Sequence, residues 1–198
     1  MTMKVEKKVL GCEDVNWDLS VFFKGPDDPQ IDRDIEVSEQ NIASFVSKYK
    51  GQLASLTSSQ LKQAYIEKDR IVAPLYKVSQ YSRLFLSLDT QNDIAKALVS
   101  RVDEITSRLS NELVFFSLEL GSLSKDVFES LNNSDELEDY AYAVDYTRQK
   151  AKYRLSEKEE QLISLKDLTG VRASRQLYGE ITSGFSFDFE LDGEVQKM

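Results

Sequence analysis

Residues 93–121 read DIAKALVSRVDEITSRLSNELVFFSLELG. Ala95, Leu98, Val102, Ile105, Leu109, Leu113, Phe116 and Leu120 recur at threes and fours, which places them on one stripe of a long α-helix. Glu104 and Arg108 stand at i and i+4 in the favourable order on its outer side. Thr90 with Asp93 predicts a capping box ahead of the helix, and Gly121 predicts its stop. A long helix with one apolar stripe must cover that stripe with other elements, so helix-on-helix packing is expected.

The flanking segments follow the same period. Upstream, Ile31, Ile35, Ile42, Phe45, Val46 and Tyr49 form a stripe that Gly51 ends. Ser58 or Ser59 can cap the next helix, with Leu61, Tyr65, Val72, Leu75, Val78 and Phe85 inward. Pro74 lies inside that pattern, where the missing donor predicts a kink or break near residues 70–73. Residues 1–30 hold Pro26, Pro29, Gly25 and the Asp27-Asp28 pair, a turn-rich lead-in. Its Trp17, Leu19, Phe22 and Phe23 predict packing on the body.

Downstream, Ser124 can cap a short helix to Leu131, and Asn132-Asn133-Ser134 reads as a turn rather than a glycosylated sequon. Ser134 can cap a longer helix with Leu137, Tyr140, Ala141, Val144 and Ala151 inward. Ser156 with Glu159 is a capping box before a helix that ends near Thr169-Gly170, and a last helix carries Leu177, Tyr178 and Ile181. From Phe185 the period becomes two: Phe185, Phe187, Phe189 and Leu191 alternate with polar residues, and Asp192-Gly193 signals a hairpin. Only Glu194 to Met198 follow, so the chain reads as stopping mid-element. The expected fold is all-α, roughly six helices in an antiparallel bundle-like array with a short C-terminal β-hairpin fragment.

Composition excludes several chemistries. The 198 residues carry no histidine, so HExxH zinc sites, Ser-His-Asp triads and Cys-His dyads are absent from them. A net charge of −9 disfavours nucleic acid and anionic membranes as partners. The single Cys12 permits no internal disulfide, and no apolar leader or membrane-length run is present, which together predict a cytoplasmic protein. Val9-Leu10-Gly11-Cys12 lacks the apolar segment a lipidation signal needs.

Four groups are candidate sites. Asp135, Glu136, Glu138 and Asp139 suggest a carboxylate metal site, but they lack the spacing and glycine of a calcium loop, and acids also suit a helix N-terminus. Arg148, Lys150, Lys152 and Arg154 suggest a phosphate site. Their spacing of two fans them around a helix, and cations suit its last turns. Tyr140, Tyr142, Tyr146, Tyr153 and Tyr178 suggest an interdomain contact, with Tyr142 and Tyr146 off the apolar stripe. Cys12 has no histidine partner and has Glu13 and Asp14 beside it, which oppose the thiolate. On this basis no catalytic, cofactor-binding or metal residue is assigned.

Four motifs in order carry a resemblance. They are Asn16-Trp17-Asp18-Leu19-Ser20 with Phe22-Phe23 and Pro26-Asp27-Asp28-Pro29; Phe115-Phe116-Ser117-Leu118-Glu119-Leu120; Leu155-Ser156-Glu157-Lys158-Glu159-Glu160; and Asp167-Leu168-Thr169-Gly170 running into Leu177-Tyr178-Gly179-Glu180-Ile181-Thr182-Ser183. Over Trp17 to Gly193 the chain resembles the N-terminal helical region of oligoendopeptidase F enzymes, which are thimet-oligopeptidase-like zinc metallopeptidases. The resemblance implies a parent that hydrolyses short peptides in a channel, with zinc held by an HExxH helix in a catalytic domain absent here. It implies residues 1–30 as lead-in, 31–184 as the helical domain, and 185–198 as a hairpin fragment leading to that catalytic domain, the expected partner. Self-association through Phe185–Leu191 is also expected, since an apolar strand edge seeks another strand. The competing reading is a stand-alone helical interaction module, and a third is a carboxylate-only metal enzyme.

Overall fold

The computed structural model describes residues 17–132, 134–191 and 194–197. Among them run seven α-helices: α1 Pro29–Tyr49, α2 Ser58–Leu88, α3 Asp93–Ser122, α4 Lys125–Asn132, α5 Ala141–Ala151, α6 Glu157–Asp167 and α7 Ala173–Ser183. A two-stranded antiparallel hairpin follows, β1 Asp188–Leu191 with β2 Glu194–Lys197. The all-α expectation is borne out, with one more helix than the rough count of six.

Local chemistry starts each long helix. Asp28 caps α1 by accepting from the Gln30 amide at 2.9 Å, and Pro29 fills the first helical position, where no donor is needed. Past α1, Gly51 takes φ 80, a left-handed turn that favours glycine, and its amide donates to Glu119 of α3 at 2.7 Å. Thr57 caps α2 in a reciprocal box with Gln60, so the cap falls one residue before Ser58. Asn92, not Thr90, caps α3 by accepting from the Ala95 amide at 3.0 Å. In both cases the first amide in need of an acceptor decides, and that position is set by where the helix packs.

Pro74 does not break α2, which is continuous from Ser58 to Leu88. Ile71, Leu75 and Val78 are buried on either side of it, so one packed surface holds both halves together despite the lost hydrogen bond. Helix α3 is the centre of the molecule and touches α1, α2, α5 and α6. Its Phe116 meets Phe45 of α1 at 5.7 Å between ring centroids and Tyr65 of α2 edge-to-face at 5.1 Å. Arg101 pairs with Asp32 and Arg108 with Glu39, lacing α3 to α1. Arg108 therefore reaches across to α1 rather than back to Glu104.

Gly121 lies inside α3 rather than after it. A Cβ there would sit 2.8 Å from the Ala151 Cβ of α5. The glycine permits a close helix approach and is not a stop signal. In the lead-in, Phe23 is buried against Tyr81 at 5.1 Å, whereas Trp17 stays exposed, against the packing expected of it. The strand is also shorter than the alternation suggests. The ladder pairs Asp188–Leu191 with Glu194–Lys197 and leaves Phe185 and Phe187 outside it. The Asp192-Gly193 turn lies outside the described residues.

The Gly121–Ala151 approach gives a direct test. Gly121→Ala should lower stability by about 1–3 kcal/mol through overpacking, outweighing alanine's better helix propensity. Adding Ala151→Gly should recover most of that loss. Thermal denaturation of the three proteins checks it, and a neutral Gly121→Ala would contradict the close approach.

Candidate functional site

The acidic stretch forms a 3-10 turn, Asp135–Tyr140, ahead of α5. Ser134 caps it by accepting from the Glu136 amide at 3.3 Å. The expected longer helix thus begins as a tighter turn and becomes α-helical only at Ala141. Asp139 accepts from Lys62 of α2 at 2.8 Å, which holds the Lys62 ammonium above its usual pKa. Asp135, Glu136 and Glu138 face solvent. Among the described residues no three Cys, Asp or Glu side chains converge as a metal would need.

The basic quartet divides by role. Arg148 donates to the carbonyls of Gly121, at 2.8 Å, and of Leu123, and its guanidinium lies over the Phe128 ring at 5.3 Å. It satisfies carbonyls that the end of α3 leaves open. Arg154 donates to Ser117 of α3. Lys150 and Lys152 are exposed and lie over the rings of Tyr146 and Tyr153, at 5.4 and 4.8 Å. No common anion site results, because the two arginines are engaged by α3 and the two lysines are turned to solvent.

The tyrosines divide too. Tyr140 stacks on Tyr65 at 4.7 Å and donates to Asp69 at 3.2 Å. Burial, then the Asp69 charge, raises its hydroxyl pKa. Tyr65 is pushed up to about 12, chiefly by burial, with Thr147 opposing. Tyr142 and Tyr146 stack on each other at 5.9 Å on the outer side of α5, with Tyr142 80% exposed. Tyr153 is exposed beyond the helix, and Tyr178 sits apart on α7. Cys12 lies outside the described residues.

Sequence reading missed a cleft of about 1000 Å³ between the α2–α3 pair and the α6–α7 arm. Arg83, Asp103, Leu165, Leu168, Arg172 and Gln176 are among its walls. Arg83 pairs with Asp103 at 2.6 Å, and Arg172 with Asp167 at 3.4 Å. One wall comes from α2 and α3 and the other from residues 165–176, more than 60 residues further along the chain, so no local spacing announces the cleft.

Residues 119–187 match a family model described as Oligopeptidase F. Oligopeptidase PepF of Bacillus subtilis (strain 168) is 25% identical over 173 residues, which cover 83% of this chain and 25% of that protein. The Oligoendopeptidase F homolog of Borreliella burgdorferi is 25% identical over 186 residues, 93% of this chain and 30% of that protein. No solved structure gives a significant match. These similarities agree with the resemblance that the four motifs carry. The chain spans between a quarter and a third of the curated relatives it matches.

Two measurements check the roles assigned above. Arg148→Met should cost about 1–3 kcal/mol by stranding the two carbonyls, while Lys150→Met and Lys152→Met stay within about 0.5 kcal/mol. Equal effects for all three would return the quartet to a shared anion site. In alkaline titration followed by tyrosinate absorbance, Tyr65 should ionise last. Its folded pKa lies above the unfolded value of 10.0, so it stabilises fully below pH ~10 and that stability is lost as pH rises toward ~12. Tyr65→Phe should flatten this loss.

Proposed function

We propose that this chain is the N-terminal helical domain of an oligoendopeptidase-F-like zinc metallopeptidase acting on short peptides in the cytoplasm. There it walls one side of the substrate channel and admits extended peptides while excluding folded proteins. The observation that carries this reading is the family match over 119–187, which takes in the third and fourth motifs whole. The stand-alone interaction module is not favoured, since both curated relatives are named as peptidases of one family. Within the parent, residues 1–30 would be the lead-in, 31–184 the wall, and 185–198 the passage to the catalytic domain.

The donors of this chain do not fit zinc. Zinc takes imidazole, thiolate and carboxylate, and here there is no histidine, one cysteine, and no converging trio among the described residues. The metal and the groups that work with it would lie outside these 198 residues. No described helix is long and apolar enough to cross a membrane.

Reading the gene beyond codon 198 should find an HExxH motif. The longer protein should cleave quenched short peptides and lose that activity to a zinc chelator, while the 198-residue chain cleaves none. Cleavage by the 198-residue chain would overturn the reading.

A further inference from the structure

From Asp145 to Glu190 no residue is buried, Val144 being the last before them. After it come many large apolar side chains that stay in water, and α7 is the clearest case. Leu177, Tyr178 and Ile181 stand at i, i+1 and i+4, so they share about 100° of the helix circumference. They are 56%, 70% and 51% exposed. Gln176, on the opposite side of α7, lines the cleft toward α2 and α3, with Ala173 and Arg175 at the flanks between the two sides. An amphipathic surface helix normally turns its apolar side to the body. Here the orientation is reversed: the polar side looks inward across an open cleft and the apolar side looks out. A hydroxyl pair, Thr90 with Ser183 at 3.0 Å, ties the end of α7 to the α2–α3 loop. Beyond Gly184, Phe185 and Phe187 are also exposed, their rings edge-to-face at 6.1 Å.

The occupant follows from three facts. The family match runs through α7 and ends at Phe187, so the outward face belongs to the shared segment. The aligned 173 and 186 residues are 25% and 30% of the two relatives, so most of each relative lies outside the alignment. The chain leaves α7 directly into a hairpin whose outer backbone edges have no partner strand among the described residues, and such an edge accepts a further strand.

We propose that Leu177, Tyr178, Ile181, Phe185 and Phe187 form the docking face for the polypeptide that follows this segment in longer proteins of the family. This rests on the domain reading above and adds the surface by which the helical wall is joined to the remainder. The partner surface it fits is apolar, with a strand edge beside it. The wall is thus fixed from outside α7, and the cleft on the inner side of α7 stays open.

Hydrogen exchange read by mass spectrometry tests the face on two intact proteins, the 198-residue chain and the full-length Bacillus subtilis relative. In the 198-residue chain, amides of 173–187 should exchange at least about 100-fold faster than those of α3, because no residue there is buried. The aligned segment of the relative should exchange at least about 100-fold more slowly than this. Equally fast exchange in both would overturn the docking face and leave the peptidase reading standing. Failure of the longer protein to cleave peptides would remove that reading whatever the exchange shows. Sedimentation of the 198-residue chain beside Leu177→Asp/Ile181→Asp supplies a second measurement. The pair of substitutions lies on an exposed surface and should leave the thermal midpoint unchanged. A dimer at tens of micromolar that the substitutions abolish, with exchange equally slow in both proteins, would make a second copy the occupant and overturn the proposal.

Discussion

The ring of Phe116, held between Phe45 and Tyr65, is the contact on which the rest depends. It joins the three long helices at one depth in the core. Phe115 beside it also reaches Phe45, at 6.2 Å. From this point the C-terminal part of α3 is fixed relative to both neighbours. Gly121 can then meet Ala151, and Arg148 can meet the carbonyls that close α3. Helix α5 is therefore placed by contacts with the end of α3, and the Asp135–Tyr140 turn follows from where α5 must begin.

The molecule divides into a part that satisfies its own apolar surface and a part that does not. Helices α1 to α3 bury their stripes against one another, and past them Leu137 and Val144 are the last apolar side chains to be buried before residue 190. The arm of α6, the bend at Leu168–Arg172 and α7 buries nothing among the described residues. Gly170 breaks the arm with a non-helical backbone, φ −99 and ψ −106. The family match covers this arm and little of the well-packed bundle. The motifs at 155–160 and 167–183 thus lie mainly on a surface, where core packing does not account for them.

How much was legible in the sequence depended on the range of the interaction. The α3 stripe was readable because eight side chains repeat on one helix, and all but Ile105 and Leu113 are fully buried. The Ser156–Glu159 capping box was readable because both partners lie within four residues. Gly121 was misread because stop and close approach use the same residue, and only the position of Ala151 tells them apart. The starts of α2 and α3 slipped by one to two residues because neighbouring Ser, Thr, Asn and Asp residues can all cap. The candidate charges were legible as groups, but their division was not. Arg148 and Arg154 turn to α3 while Lys150 and Lys152 turn away, a choice set by partners 25 to 37 residues distant and by the end of α5 at Ala151, which leaves Lys152 and Arg154 outside the helix. The cleft beside Arg83 and Arg172 left no trace in any window of sequence.

Helix α6 meets α3 mainly through polar groups. Ser164 faces Ser107 at 3.2 Å, Gln161 donates to the Asn111 carbonyl at 3.3 Å, and Lys50 of the α1 end reaches Glu157 at 2.7 Å. Heat capacity of unfolding scales with apolar surface newly exposed to water. No residue of the arm is fully buried, so its release exposes less such surface than melting of the bundle and leaves a smaller mark on the heat capacity. In calorimetry the bundle should melt as the visible unit, with the arm parting from it at a lower temperature and adding only a small heat-capacity step.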